Sequence, residues 1–249
     1  MKIQTLDDLD SVRNREDRSV LSLFTLYPER FLADDVAHPL EVKNLTLDLS
    51  FWNSCSGEEY SIWYNKFVTN TLCSGLTKFH NLETLITKDL NLSSELWIEF
   101  AQNAKKLTEL HILTRHKDYE DVNLHDKEEA FKAVLAIPTL ERVCIGEIYL
   151  PYFPPGPSNI KHLELYLIST NDEKGELEKQ IESYSKNFST HTNIKSLILY
   201  NYSKEPSLTL EILKLEKLPK LEELELRCSD IEEIEKMRAL LPHLKRIVN

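Results

Sequence analysis

One spacing keeps returning along this 249-residue chain: an apolar residue, two free positions, a second apolar residue, one free position, a third. It stands complete at Val42/Leu45/Leu47, Leu107/Leu110/Ile112, Leu140/Val143/Ile145, Ile160/Leu163/Leu165, Ile194/Leu197/Leu199 and Leu221/Leu224/Leu226. Leu82/Leu85 is a partial copy with Thr87 in the third place, and Leu244/Ile247 is a half copy. The second and third apolar places are two residues apart, so in an extended chain they share one face while their neighbours share the other. Successive units begin 20 to 40 residues apart, about 29 on average. That period is near the upper end for repeats built from one strand and one return segment. Such a unit cannot bury its apolar side alone, and stacking many of them builds a parallel sheet.

The segments between strands mostly carry helical spacing. Glu58 to Leu72, Ser93 to Ala104 (with Leu96, Trp97, Phe100 and Ala101) and Asp126 to Ala136 each place an apolar stripe along one side. Asp172 to Phe188, the stretch after Pro206 and the stretch after Asp230 read the same way. The exception is the run holding Pro151, Pro154, Pro155, Gly156 and Pro157, where proline excludes regular helix. Residues 1–40 lack the repeat. Leu6, Leu9 and Val12, then Val20, Leu21, Leu23, Phe24 and Tyr27, follow helical spacing and predict an N-terminal helical cap. The expected fold is therefore α/β. A cap over 1–40 precedes a repeat array over 41–249, a curved parallel sheet with helices on its convex side, and the two form one structural domain.

The strand units resemble leucine-rich repeats, especially the irregular, helix-backed arrays of the ribonuclease-inhibitor-like and F-box-associated kinds. The resemblance covers roughly residues 41–249. It departs from the family at the place eight residues after the first leucine, where Asn or Cys is usual. Here those positions hold Ser50, Leu90, Arg115, Ile148, Ile168, Tyr202 and Ser229, which marks a divergent array. The resemblance implies a solenoid that works by binding another protein. It also raises an alternative role, a substrate-recognition subunit of a ubiquitin ligase, with residues 1–40 as a degenerate adaptor-docking segment.

Composition narrows the function from the other side. The formal charge is −11, with 41 acidic and 30 basic residues. Such a balance disfavours nucleic acid and anionic membranes, whose binding rests on Lys and Arg. It permits a basic protein partner. With only five glycines there is no phosphate-cradling loop. No nucleophile elbow or spaced Cys/His/Asn set occurs, so no catalytic residue and no cofactor is assigned. His111, His116 and His125 lie near Asp118, Glu120, Asp121 and Asp126, but without the spacing of a metal motif, and read as a solvated loop. Cys55, Cys73, Cys144 and Cys228 are scattered and read as reduced thiols. Met1 to Asp10 has no apolar signal core, and no run of about 18 apolar residues occurs. The expected setting is cytoplasmic or nuclear.

Function is then expected on the positions beside the leucines. If places one, four and six point inward, places three, five and seven face the open side of the sheet. Place five gives Thr46, Ile86, His111, Cys144, Glu164, Ile198 and Glu225, and place seven gives Asp48, Lys88, Leu113, Gly146, Tyr166, Tyr200 and Arg227. Apolar and aromatic centres with charged borders are how protein interfaces are built. The expected partner-binding residues are Ile86, Lys88, Leu113, Tyr166, Ile198, Tyr200, Glu225 and Arg227, on a non-catalytic scaffold. The Leu244 to Val248 edge is a second candidate surface, one that could add a strand from another chain or simply be a short end guarded by Lys245 and Arg246.

Overall fold

The computed structural model describes residues 20–23, 42–48, 76, 79–88, 93–113, 128–148, 153–167, 186–201, 214–227 and 231–248. The chain divides into two compact units, residues 1–139 and 140–249.

In the first unit, strands β1 (Val20–Leu23), β2 (Asn44–Asp48), β3 (Thr84–Lys88) and β4 (Glu109–Leu113) pair in parallel in chain order. Leu45, Leu85 and Leu110 stand side by side, and so do Leu47, Thr87 and Ile112. All six are buried. Helices α1 (Ser94–Asn103) and α2 (Glu128–Leu135) lie in the returns after β3 and β4. Their buried residues are Trp97 and Phe100 in α1, and Ala130, Phe131, Val134 and Leu135 in α2. Leu96 and Ala101, expected in the same stripe, are only half-buried.

In the second unit, β5 (Arg142–Ile148), β6 (His162–Leu167), β7 (Ser196–Asn201), β8 (Glu223–Arg227) and β9 (Arg246–Val248) also pair in parallel in chain order. Val143, Leu163, Leu197, Leu224 and Ile247 share one register position, and Ile145, Leu165, Leu199 and Leu226 the next inward one. A short 3₁₀ turn (Leu215–Lys217) precedes β8, and helix α3 (Ile231–Leu240) precedes β9. The proline-rich stretch is irregular over 153–161, as its prolines require. Parallel strands aligned on one spacing put like residues next to like, so each leucine contributes about 1.5–3 kcal/mol of burial against neighbours of its own shape.

The repeat is longer than its strand. Upstream of place one, two further buried positions recur at three-residue steps: Leu76 and Phe79 before Leu82, Val134 and Ile137 before Leu140, Leu215 and Leu218 before Leu221. Phe188 and His191 fill the same positions before Ile194. Backbone N–H groups follow the same step, with Leu82 donating to Phe79, Ile194 to His191, Leu221 to Leu218 and Leu244 to Leu241. These four units therefore enter their strands through a tight turn locked by hydrogen bonds three residues long. Place two supplies the link between units. The carbonyl of Lys43 accepts N–H groups from both Glu83 and Thr84, and Glu83, Glu141, Lys161, Lys195 and Glu222 each receive the corresponding pair from the next strand.

Two expectations change. Val20–Leu23 is a strand and not part of a helix, with Leu21 beside Leu45 and Leu23 beside Leu47. Positions 20, 21, 23, 24 and 27 satisfy a helical template, yet Leu21 and Leu23 also satisfy the last two places of the repeat. The first place is Arg18, which hid the unit from the triad. The remainder of the expected cap lies outside the described residues, as do Glu58 to Leu72, the predicted helix up to residue 185, and the segment after Pro206 up to residue 213. The partial copy at Thr87 is a full member of the core: the side chain is buried, and its hydroxyl donates to the His111 carbonyl at 3.3 Å. That bond offsets the cost of a buried polar group. Among the described residues no helix is long and apolar enough to cross a membrane.

Candidate functional site

Places five and seven alternate with the buried leucines, and the backbone register sets them in rows. In the first unit Thr46, Ile86 and His111 form one row, and Asp48, Lys88 and Leu113 the next. Ile86, Lys88, His111 and Leu113 are each half-buried. The His111 imidazole sits 2.8 Å from Glu109 Oε1 on the same strand, so this histidine is paired with a carboxylate neighbour. Among the described residues no group of three or more His, Cys, Asp or Glu side chains is placed to hold a metal ion. His116, His125 and the acids around them lie outside the described residues.

The second unit carries the more ordered row. Tyr166 and Tyr200 are register partners on β6 and β7, and their rings stack with centroids 4.0 Å apart and planes 5° from parallel. Tyr200 pairs in turn with Arg227 on β8, whose guanidinium carbon lies 4.6 Å from the Tyr200 ring centre. Strands about 4.8 Å apart bring planar side chains at one register position into face contact. Two carboxylates fix the ends of the row. Tyr166 donates its hydroxyl hydrogen to Glu164 Oε1 at 3.1 Å, and Arg227 Nε donates to Glu225 Oε1 at 2.5 Å. Ile198 stands between Glu164 and Glu225 in the adjoining row. Stacking and cation–π contact are each worth about 0.5–1.5 kcal/mol here, enough to hold the side chains in one arrangement.

The open face does not extend over β5. Cys144 and Gly146 stand at places five and seven there, and both are buried. A thiol and a hydrogen reach less far from the sheet than Glu164, the partner of Cys144 on β6, and a register shift falls between Ile145 and Ile148. Cys144 is a buried thiol and acts in packing.

Sequence reading missed a polar cluster in the same unit. His191 occupies the position that holds Phe79, Ile137 and Leu218 in other units, and it is 0% exposed. Its Nδ1 accepts the Ser158 hydroxyl at 2.7 Å, and its Nε2–H donates to the Pro154 carbonyl at 2.9 Å. Phe153 closes on the ring at 4.9 Å. Gly156 N–H donates to Thr190 Oγ1 at 2.6 Å, and Asn193 donates to the Ser158 carbonyl at 2.9 Å. A Cβ on Gly156 would lie 3.1 Å from the Thr190 carbonyl oxygen, so a larger residue here would push the two segments apart by a few tenths of an ångström. Burial pushes the His191 imidazole below its ordinary pKa, and the Pro154 carbonyl draws it partly back. A hydroxyl–imidazole pair suggests nucleophilic chemistry, but this one is sealed from solvent and its second nitrogen is committed to a carbonyl. It clasps the proline-rich connection to the turn before β7. The one available signal was a histidine standing where the extended repeat expects an apolar residue.

No protein-family model matches the chain, and no curated protein matches its sequence.

Proposed function

We propose that the protein is a non-catalytic recognition module of leucine-rich-repeat-like solenoid form, which binds a protein partner on the open face of its strands. The reading rests on one observation: Tyr166, Tyr200 and Arg227 form a stacked, half-exposed row whose ends are held by Glu164 and Glu225. Tyr and Arg are the side chains most often dominant at interfaces. A row already ordered in the free protein loses little rotamer freedom when a partner covers it, so more of the contact energy appears as affinity. Ile198 supplies apolar area beside the row. Ile86, Lys88 and Leu113 are the corresponding candidates on the first unit. Glu164 and Glu225 also favour a partner with basic groups at its rim.

Charge substitution on this face separates recognition from stability. Tyr166→Asp/Tyr200→Asp is expected to abolish capture of the native partner from cell extract while costing about 1–3 kcal/mol of stability, the value of the lost stack and cation–π contact together. Partner capture, identified by mass spectrometry and followed beside urea unfolding, checks both. Undiminished capture by the folded double variant overturns the proposal.

A further inference from the structure

The proline-rich connection into β6 is held by side chains where other segments are held by backbone. Pro154, Pro155 and Pro157 have no N–H to donate, and residues 153–158 belong to no strand or helix. Their partners lie on the turn before β7. Thr190 takes the Gly156 N–H, Asn193 donates to the Ser158 carbonyl, and Asn187 donates to the Phe153 carbonyl at 3.4 Å. His191 reaches both the Ser158 hydroxyl and the Pro154 carbonyl. The Phe153 ring completes the contact edge-on to Phe188, with centroids 5.4 Å apart. Of all these groups only His191 changes charge between pH 5 and 8.

The neutral imidazole fits this place and the protonated one does not. A carbonyl can only accept, so Nε2 carries the hydrogen and Nδ1 is left to accept from Ser158. A proton on Nδ1 turns the ring into two donors. The Ser158 hydroxyl hydrogen then loses its acceptor, and a full positive charge stands at 0% exposure. No carboxylate answers that charge. The contacts on the connection, Phe153, Pro154, Gly156 and Ser158, are uncharged. The closest titratable side chains along the two segments are Lys161, His162, Lys186 and Lys195, and none of them acts on the ring. We propose that this contact is an acid-released clasp: on protonation of His191, residues 153–158 lift from the turn before β7 while β6 and β7 stay paired. In the open form water solvates the imidazolium, the Ser158 hydroxyl and the Pro154 carbonyl. The strand pairing survives because the Lys161 carbonyl takes the Lys195 and Ser196 N–H groups through backbone alone. The tyrosine row stands at the far ends of β6 and β7 and is not involved.

The test is amide hydrogen exchange of the whole chain, read by NMR at pH 7 and pH 5 and corrected for the intrinsic rates. An open form whose histidine titrates near 6.5 gains on the closed one by about tenfold or more over that interval. Protection of the Gly156, Thr190 and His191 amides is expected to fall by that factor. The opening is expected to be insensitive to low urea, with the Ser196 amide exchanging more slowly at both pH values, which marks a local event and not global unfolding. His191→Phe is expected to reduce the fall to less than about twofold. His191→Gln, which keeps an N–H for the Pro154 carbonyl but does not titrate, is expected to do the same and serves if the phenylalanine variant does not fold. Tyr166→Asp/Tyr200→Asp is expected to leave the pH dependence as it is. Three results overturn the proposal: protection at the clasp that is equal at the two pH values, a fall that persists in the histidine variants, or clasp and Ser196 amides that exchange at one rate with one urea dependence.

Discussion

Along β6, β7 and β8 the two faces of one sheet follow opposite rules. On the inward side Leu163, Leu197 and Leu224 stand in register, and Leu165, Leu199 and Leu226 beside them. Six leucines in a row are interchangeable in kind. On the other side the rows run Glu164, Ile198, Glu225 and Tyr166, Tyr200, Arg227, and the chemistry changes between strands. Packing demands sameness inside, because each leucine must fit the gaps left by its neighbours. Outside, a residue need only tolerate its neighbour. Freedom on that face is what lets a row become specialised. The inward face therefore carries stability while the outward face is free to vary, and each can be broken separately.

The largest effect is expected from breaking the inward row. Leu224 is 0% exposed, and Leu224→Ala leaves a void between Leu197 and Ile247 that neighbouring strands cannot close. A loss of about 2–5 kcal/mol in urea unfolding is expected, with the tyrosine row left free to stack. A loss under 1 kcal/mol would mean that the array tolerates cavities, and that the sameness of the leucines has another origin.

His191 is the test case for a polar group under the inward rule, and its effect ranks next. His191→Phe keeps most of the ring volume but leaves the Ser158 hydroxyl and the Pro154 carbonyl without a partner in the core. A cost of about 1–3 kcal/mol is expected. The pH dependence has a definite sign. The folded imidazole has its pKa lowered, while the unfolded one titrates near 6.5. Below that value the unfolded chain takes up a proton that the folded chain refuses, so His191 makes stability fall as pH drops from 7 toward 5. Comparing unfolding at pH 7 and pH 5 checks this, and the fall is expected to be smaller in His191→Phe than in the parent.

The inward rule was readable in the sequence because it repeats. A spacing present at Val42/Leu45/Leu47 and again at Leu221/Leu224/Leu226 identifies the strands, the buried places and the face each neighbour occupies. The same spacing concealed what departs from it. Arg18 in the first place hid β1, and Thr87 looked like a defect although its hydroxyl is bonded. His191 went unread because the upstream positions were not recognised as part of the repeat. The tyrosine row was legible as residues on a face, but not as a stack. Stacking depends on β6 and β7 pairing without a shift at Tyr166 and Tyr200, and no triad specifies that. Cys144 and Gly146 were placed on the open face by alternation alone, which carries no information about depth.

The smallest effect belongs to the charges at place two, and it sharpens the contrast between backbone and side chain. The Lys161 and Glu141 side chains meet at 2.5 Å at the sheet's edge, and Lys161 holds the Glu141 carboxyl below the usual carboxylate range. The support this gives is present above the unfolded carboxylate pKa and is lost as pH falls through the folded one. Both groups are open to water, where holding two long side chains together cancels most of the attraction. The backbone at the same residues does otherwise: the Glu141 carbonyl takes both the Lys161 and the His162 N–H, and no side-chain change short of proline removes those bonds. Lys161→Gln is therefore expected to shift Tm by less than about 1 °C at neutral pH, by scanning calorimetry. A drop of several degrees would show that the charged edge, and not only the doubly bonded carbonyls beneath it, ties one strand to the next.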